Sequence, residues 1–95
     1  MIDWDDVFDN SGYVPGADGL PAAWSQRAEA FRMQAGGELG VRYGPHPREV
    51  FDLFVPASKP LGLVIFFHGG YWHLLDRSVW SHLAEGPLAA GWAVA

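Results

Sequence analysis

The chain has no cysteine, so it forms no disulfide and no thiolate metal site. That fits a cytoplasmic protein, as does an N-terminus, Met1-Ile2-Asp3-Trp4-Asp5, without the basic and apolar regions of a signal peptide. Charge is scarce at 18%, and its balance is acidic: Lys+Arg 6 against Asp+Glu 11, a net charge of −5. With no basic patch, a nucleic-acid partner has no support. The longest apolar run is far short of a membrane span, so no membrane partner is expected. There is no internal repeat and no low-complexity tract. The serines are Ser11, Ser25, Ser58, Ser78 and Ser81, and none lies in Gly-x-Ser-x-Gly.

What is present is apolar. Hydrophobic residues make up 49% and aromatics 15% of 95 residues. That is enough for one small domain and too little for an ordinary α/β enzyme. A free-standing domain this short carries proportionally more surface, and with it more charge. The composition is that of the interior-rich part of a larger protein. Asp3, Asp5, Asp6 and Asp9 cluster near the N-terminus. They could form a metal site, but no calcium-loop Gly and Glu follow at the required positions, and a solvated face is the reading taken.

Residues 1–20 read as an irregular or partly helical arm, rich in turn formers, whose Trp4, Val7, Phe8, Tyr13 and Val14 should pack on something. Pro21 to about Gln34 reads as a helix with Trp24, Ala28, Phe31 and Ala35 on one face, stopped by Gly36-Gly37. Leu39–Tyr43 and Glu49–Val55 read as an antiparallel strand pair. Leu63–Phe67 reads as a fully buried parallel strand. A helix capped by Asp76 or Ser78 should run to about Ala90, kinked or broken near Gly86-Pro87. Trp92-Ala93-Val94-Ala95 then starts another strand. The fold class is α/β: an antiparallel strand pair leading into a βαβ unit whose last strand is truncated. Residues 1–38 form an arm and helix; residues 39–95 form the first strands and the first βαβ unit.

The most informative stretch is Leu63 to Trp72, where the apolar run ends in His68-Gly69-Gly70-Tyr71-Trp72. Acyl transfer passes through a tetrahedral oxyanion, and losing one fixed N–H donor typically costs about 3 kcal/mol of the barrier. Such donors need backbone that approaches the substrate closely, which favours glycine. By spacing, the amides of Gly70 and Tyr71 are the candidate donors, and Gly69 gives the turn room. The bland alternative is a tight strand-to-helix turn. His68 is a general base or, preferably, a residue whose ring holds the loop, because no nucleophile is at hand. Tyr71 and Trp72 line a pocket or pack in the core. His46, His68, His73 and His82 match no standard zinc spacing, so no metal and no cofactor is expected. Asp76 reads as a helix cap and not as a triad acid.

These residues resemble the N-terminal part of an α/β-hydrolase, and in particular the kynurenine formamidase (arylformamidase) and related esterase group with its His-Gly-Gly-x-Trp oxyanion motif. Val41-Arg42-Tyr43-Gly44 and Glu49 to Pro56 resemble the strand pair that precedes that motif. The resemblance covers residues 39–95 well and the first 38 loosely. It implies a serine hydrolase of small amides or esters, in which N-formylkynurenine gives kynurenine and formate. It also implies that Ser, Asp/Glu and His of the triad fall after the last residue here. The expectation is an oxyanion-hole half that is inactive alone. The alternatives are a general carboxylesterase and a non-catalytic binding module that uses an exposed sheet edge. That open edge also leaves room for a homo-oligomer.

Overall fold

The computed structural model describes residues 1–70 and 74–95. Its longest element is α3 (Leu20–Ala35). Pro21 stands in the first turn, where a missing N–H costs nothing, and Gly36 closes the far end with its N–H on the Arg32 carbonyl. Ala28 and Phe31 are buried on one face of α3, and Trp24 on the same face meets Trp80 with ring centroids 4.9 Å apart. Ala35, predicted to join that face, is exposed.

Before α3 come α1 (Trp4–Phe8), α2 (Asn10–Tyr13) and a 3-10 turn at Ala17–Gly19. Asp3 and Asp9 cap the two short helices, so part of the acid cluster serves local structure. Trp4 stacks on Phe8 at 6.1 Å. The expectation that the arm packs on something does not hold among the described residues. Trp4, Val7, Phe8, Tyr13 and Val14 are all exposed.

Strands β1 (Glu38–Arg42) and β2 (Val50–Leu53) pair antiparallel, with a register shift between Glu38 and Val41. The predicted hairpin is therefore present, bulged around Gly40. Strands β3 (Leu63–Val64) and β4 (Ala93–Val94) pair in parallel, and the pairing continues through the Ala95 amide on the Val64 carbonyl and the Phe66 amide on the Ala95 carbonyl. Phe54, just past β2, exchanges two 2.8 Å backbone bonds with Val94. That bridge joins the pairs in the order β1-β2-β4-β3.

The crossover between β3 and β4 corrects the sequence reading. In place of one kinked helix there are 3-10 turns at Arg77–Val79 and Ser81–Ala84, then α4 (Glu85–Ala89). The break lies upstream of Pro87. Pro87 sits in the first turn of α4, where its lost N–H had no intrahelical partner. Asp76 does cap the segment, accepting from the Ser78 N–H.

The core is small: Phe31, Phe54, Ala84 and Val94, with Val64 and Leu88 packed against it. Phe31 meets Phe54 edge-on at 5.1 Å. The radius of gyration is 16.1 Å, against about 12 Å for a compact chain of this length. The expected full burial of Leu63–Phe67 is wrong for this chain. Leu63, Ile65, Phe66 and Phe67 are exposed, because β3 has a strand neighbour on one side only among the described residues.

Candidate functional site

The site is the turn that follows β3. His68 is half-buried, and its Nδ1 donates to the Gly69 carbonyl at 2.7 Å. The ring thus contacts the backbone of the adjacent glycine.

The two glycines differ. A side chain at Gly69 would meet no described residue within 4 Å. Gly70 has φ +112°, and a Cβ there would lie 2.3 Å from the Leu74 carbonyl oxygen. The Gly70 carbonyl accepts from the Leu74 N–H at 2.8 Å, which closes the turn. Only glycine fits at 70. The backbone N–H groups of Gly69 and Gly70 make no hydrogen bond among the described residues. Tyr71, Trp72 and His73 lie outside the described residues, so the second predicted donor and the pocket-edge tryptophan are not placed.

Downstream, Leu75 has φ +66°, a left-handed conformation that costs a side-chain-bearing residue about 1–2 kcal/mol. It sits between the turn and the Asp76 cap. Burial works to raise the Asp76 carboxyl, but hydrogen bonds from the Ser78 hydroxyl and N–H, and then the Arg77 guanidinium, outweigh it and hold the group below the ordinary carboxylate value. Arg77 Nε donates to Asp52 Oδ1 at 2.9 Å, and the same oxygen accepts from the Gly40 N–H at 2.9 Å. Asp52 therefore pins the start of the crossover to the bulge of the hairpin. Sequence reasoning missed this pair. The signal was Asp52 itself, a carboxylate sharing a strand face with Val50 and Phe54.

Of the remaining described histidines, His46 and His82 make no hydrogen bond to the turn. His46 Nδ1 accepts from the Arg48 N–H, and His82 Nδ1 is buried without a partner among the described residues. No group of three or more His, Cys, Asp or Glu able to hold a metal ion occurs among the described residues. The Ser78 hydroxyl donates to Asp76 at 2.9 Å, and Ser81 Oγ accepts from Arg32 at 2.8 Å. Arg32 also donates to the Ser78 carbonyl, which clamps α3 to the crossover. Both serines are thus engaged in structure. No described helix is long and apolar enough to cross a membrane.

The fold of this chain is shared with a solved structure, and its sequence is similar to that of curated relatives. The crystal structure of a protein from Silicibacter sp. tm1040, provisionally named a thioesterase, superposes with a TM-score of 0.93 at 45% identity, over 99% of this chain and 37% of that one. Kynurenine formamidase from Danio rerio is 32% identical over 93 residues, covering 78% of this chain and 31% of the relative. Kynurenine formamidase from Salmo salar is 39% identical over 57 residues, covering 58% of this chain and 19% of the relative. No family model matches. The chain spans about a third or less of the length of these curated relatives.

Proposed function

We propose that these residues are the N-terminal part of an α/β-hydrolase, a serine hydrolase of small amides or esters of the arylformamidase kind. Residues 1–38 are its arm and first long helix, and residues 39–95 its first strands and first βαβ unit. The backbone N–H groups of Gly70 and Tyr71 receive the oxyanion. Gly69 gives the turn room, His68 holds it, and Trp72 borders the acyl pocket. The observation that supports the reading is the Gly70 turn: a position at φ +112° where a Cβ would meet the Leu74 carbonyl, with an N–H that has no partner among the described residues, in a chain similar to kynurenine formamidases and to a provisionally named thioesterase.

The chemistry follows from that placement. A nucleophilic serine adds to the carbonyl carbon, and the oxygen gains charge as the π bond opens. Fixed amides stabilise that charge without reorganising. The C–N or C–O bond then breaks, and water releases the acid. The serine, its base and its acid come from chain beyond the part described here, so the 95-residue polypeptide should hydrolyse p-nitrophenyl acetate no faster than a denatured control. A serine-dependent burst from this polypeptide would sink the assignment of roles.

A thioester substrate is the second reading. It is favoured by the higher identity, 45%, to the provisionally named thioesterase. A panel of N-formylkynurenine, short acyl esters and short acyl thioesters, offered to the protein of full hydrolase length, separates the two. Preference for N-formylkynurenine supports the first reading, and preference for thioesters replaces it.

A further inference from the structure

The glycine turn is closed by its own backbone and anchored by residues remote in sequence. The Gly70 carbonyl accepts from the Leu74 N–H at 2.8 Å, and the Leu74 carbonyl oxygen is the atom that a Cβ at Gly70 would strike. The next residue, Leu75, has φ +66°. A leucine crowds its own backbone in that conformation and keeps it only where the flanking chain over-determines it. On the far flank, Arg77 Nε donates to Asp52 Oδ1 at 2.9 Å, and the same oxygen accepts from the Gly40 N–H at 2.9 Å. Gly40 sits in the bulge of β1 with φ +66°, and a Cβ there would lie 3.8 Å from Arg77 Nη2, so the guanidinium lies along the bulge. The Asp52 side chain is 10% exposed and that of Arg77 37%, so the carboxylate is the fixed half of the pair. A single oxygen on β2 thus joins the β1 bulge to the start of the crossover.

We propose that Asp52 is a positioning residue for the oxyanion site: through Arg77 it holds Leu75 in the left-handed conformation, and so fixes the Leu74 backbone against Gly70. It acts through Arg77 and not on the substrate. The proposal rests on the reading of the Gly70 N–H as an oxyanion donor, and it names what aims that N–H. A donor stabilises developing charge without reorganisation only if it is already in place. Misplacement by an ångström, caused by a change far from the chemistry, can cost about a hundredfold in rate. A loosened donor is felt most in the transition state, where the oxygen carries charge. Removing the tie should therefore lower kcat and leave KM nearly unchanged.

The test uses protein of full hydrolase length and p-nitrophenyl acetate. Asp52→Ala should lower kcat about tenfold or more, with KM within about twofold. Asp52→Asn keeps an oxygen that can accept from both donors, and its kcat should stay within about threefold of the parent. Leu75→Gly, added to Asp52→Ala, removes the crowding that the tie holds in place and should recover kcat at least about threefold. Leu88→Ala trims a residue packed against the core, away from the tie, and should leave kcat within about twofold. Hydrogen exchange reads the hold without any chemistry: Asp52→Ala should speed the Leu74 amide about tenfold more than the amides of α3. Unchanged exchange at Leu74, a kcat loss matched by Leu88→Ala, a change in KM alone, an asparagine variant as impaired as the alanine one, or no recovery with Leu75→Gly would each overturn the proposal. Gly70→Ala with undiminished turnover would remove the oxyanion reading itself, and the role of Asp52 in catalysis with it, even where exchange at Leu74 shows the turn held.

Discussion

Strands β3 and β4 lie side by side, run in the same direction and are similarly apolar, yet they have opposite fates. Val94 in β4 is 5% exposed, whereas Leu63 in β3 is 53% exposed. The difference is neighbours. β4 is bonded to Phe54 on one side and to β3 on the other, and Phe31 of α3 and Ala84 of the crossover close over Val94. β3 has one strand neighbour among the described residues. An apolar run therefore states what a segment requires, and the fold decides whether the requirement is met. In this chain it is met at β4 and left open at β3.

The strongest way to break that comparison is to truncate one aromatic on each side. Phe54 is 4% exposed and joins the two strand pairs through its backbone. Phe54→Ala should cost about 3–5 kcal/mol, enough to unfold a domain with so small a core. Phe67→Ala should change stability by no more than about 0.5 kcal/mol. Urea melts followed by circular dichroism measure both. Equal costs would mean that β3 is buried in solution.

The glycine turn offers a smaller and sharper contrast. Gly70→Ala forces a Cβ against the Leu74 carbonyl at a φ of +112°, so it should cost about 1–3 kcal/mol and loosen the Gly70–Leu74 closure. Gly69→Ala meets no described residue and should fall within about 0.5 kcal/mol. Hydrogen exchange at the Leu74 amide reads the closure directly. If the two variants exchange alike, the turn is not built as described. In a protein of full hydrolase length, turnover should follow the same order.

Next in size is the tie between the turn and the hairpin. The Asp52 side chain is 10% exposed and shares one oxygen between Arg77 and the Gly40 N–H. Arg77→Leu leaves that carboxylate with a single donor and should cost about 1–2 kcal/mol, reduced by the partial exposure of the arginine. No loss of stability would mean that the crossover is held by packing alone.

How far the residues announced this arrangement depends on how local each signal was. α3 was legible within a residue or two, because Pro21, the alanines and Gly36-Gly37 act within the segment itself. The antiparallel pair was legible for the same reason, a short connector between two apolar stretches. The parallel pairing of β3 with β4 was also readable from strand, helical segment, strand. The bridge from Phe54 to Val94 was not, since it joins residues 40 apart with no local mark. The crossover was misread because Pro87 looks like a helix breaker wherever it stands; at the first turn of α4 it is neutral. Gly70 was read as a backbone donor and Gly69 as the residue giving the turn room; the steric demand for glycine at 70, set by the Leu74 carbonyl, could not be seen in sequence. His68 was read as a loop-holding residue; its ring bonds the Gly69 carbonyl, and its role stays a proposal.

The smallest expected effect concerns Asp76, at the boundary between the open turn and the ordered crossover. Its carboxyl is held below its ordinary value in the folded chain, so it binds its proton less readily there than when unfolded. A depressed carboxylate contributes stability that is present above its unfolded value, near 3.9, and is lost as pH falls through its folded value. The side chain is about half open to water, so the contribution is modest. Asp76→Ala should cost about 0.5–1 kcal/mol near neutral pH, in the range of a lost cap. Asp9 is held low as well, by the Ser11 hydroxyl first and then the Gly12 N–H, but it is unchanged between the two proteins. Subtracting the melts of the variant from those of the parent across pH 7 to 2.5 therefore isolates Asp76. The difference should stay level down to about pH 5 and shrink below it. A difference that persists undiminished at the acid end would mean that the carboxylate's charge has no part in holding the turn to the crossover.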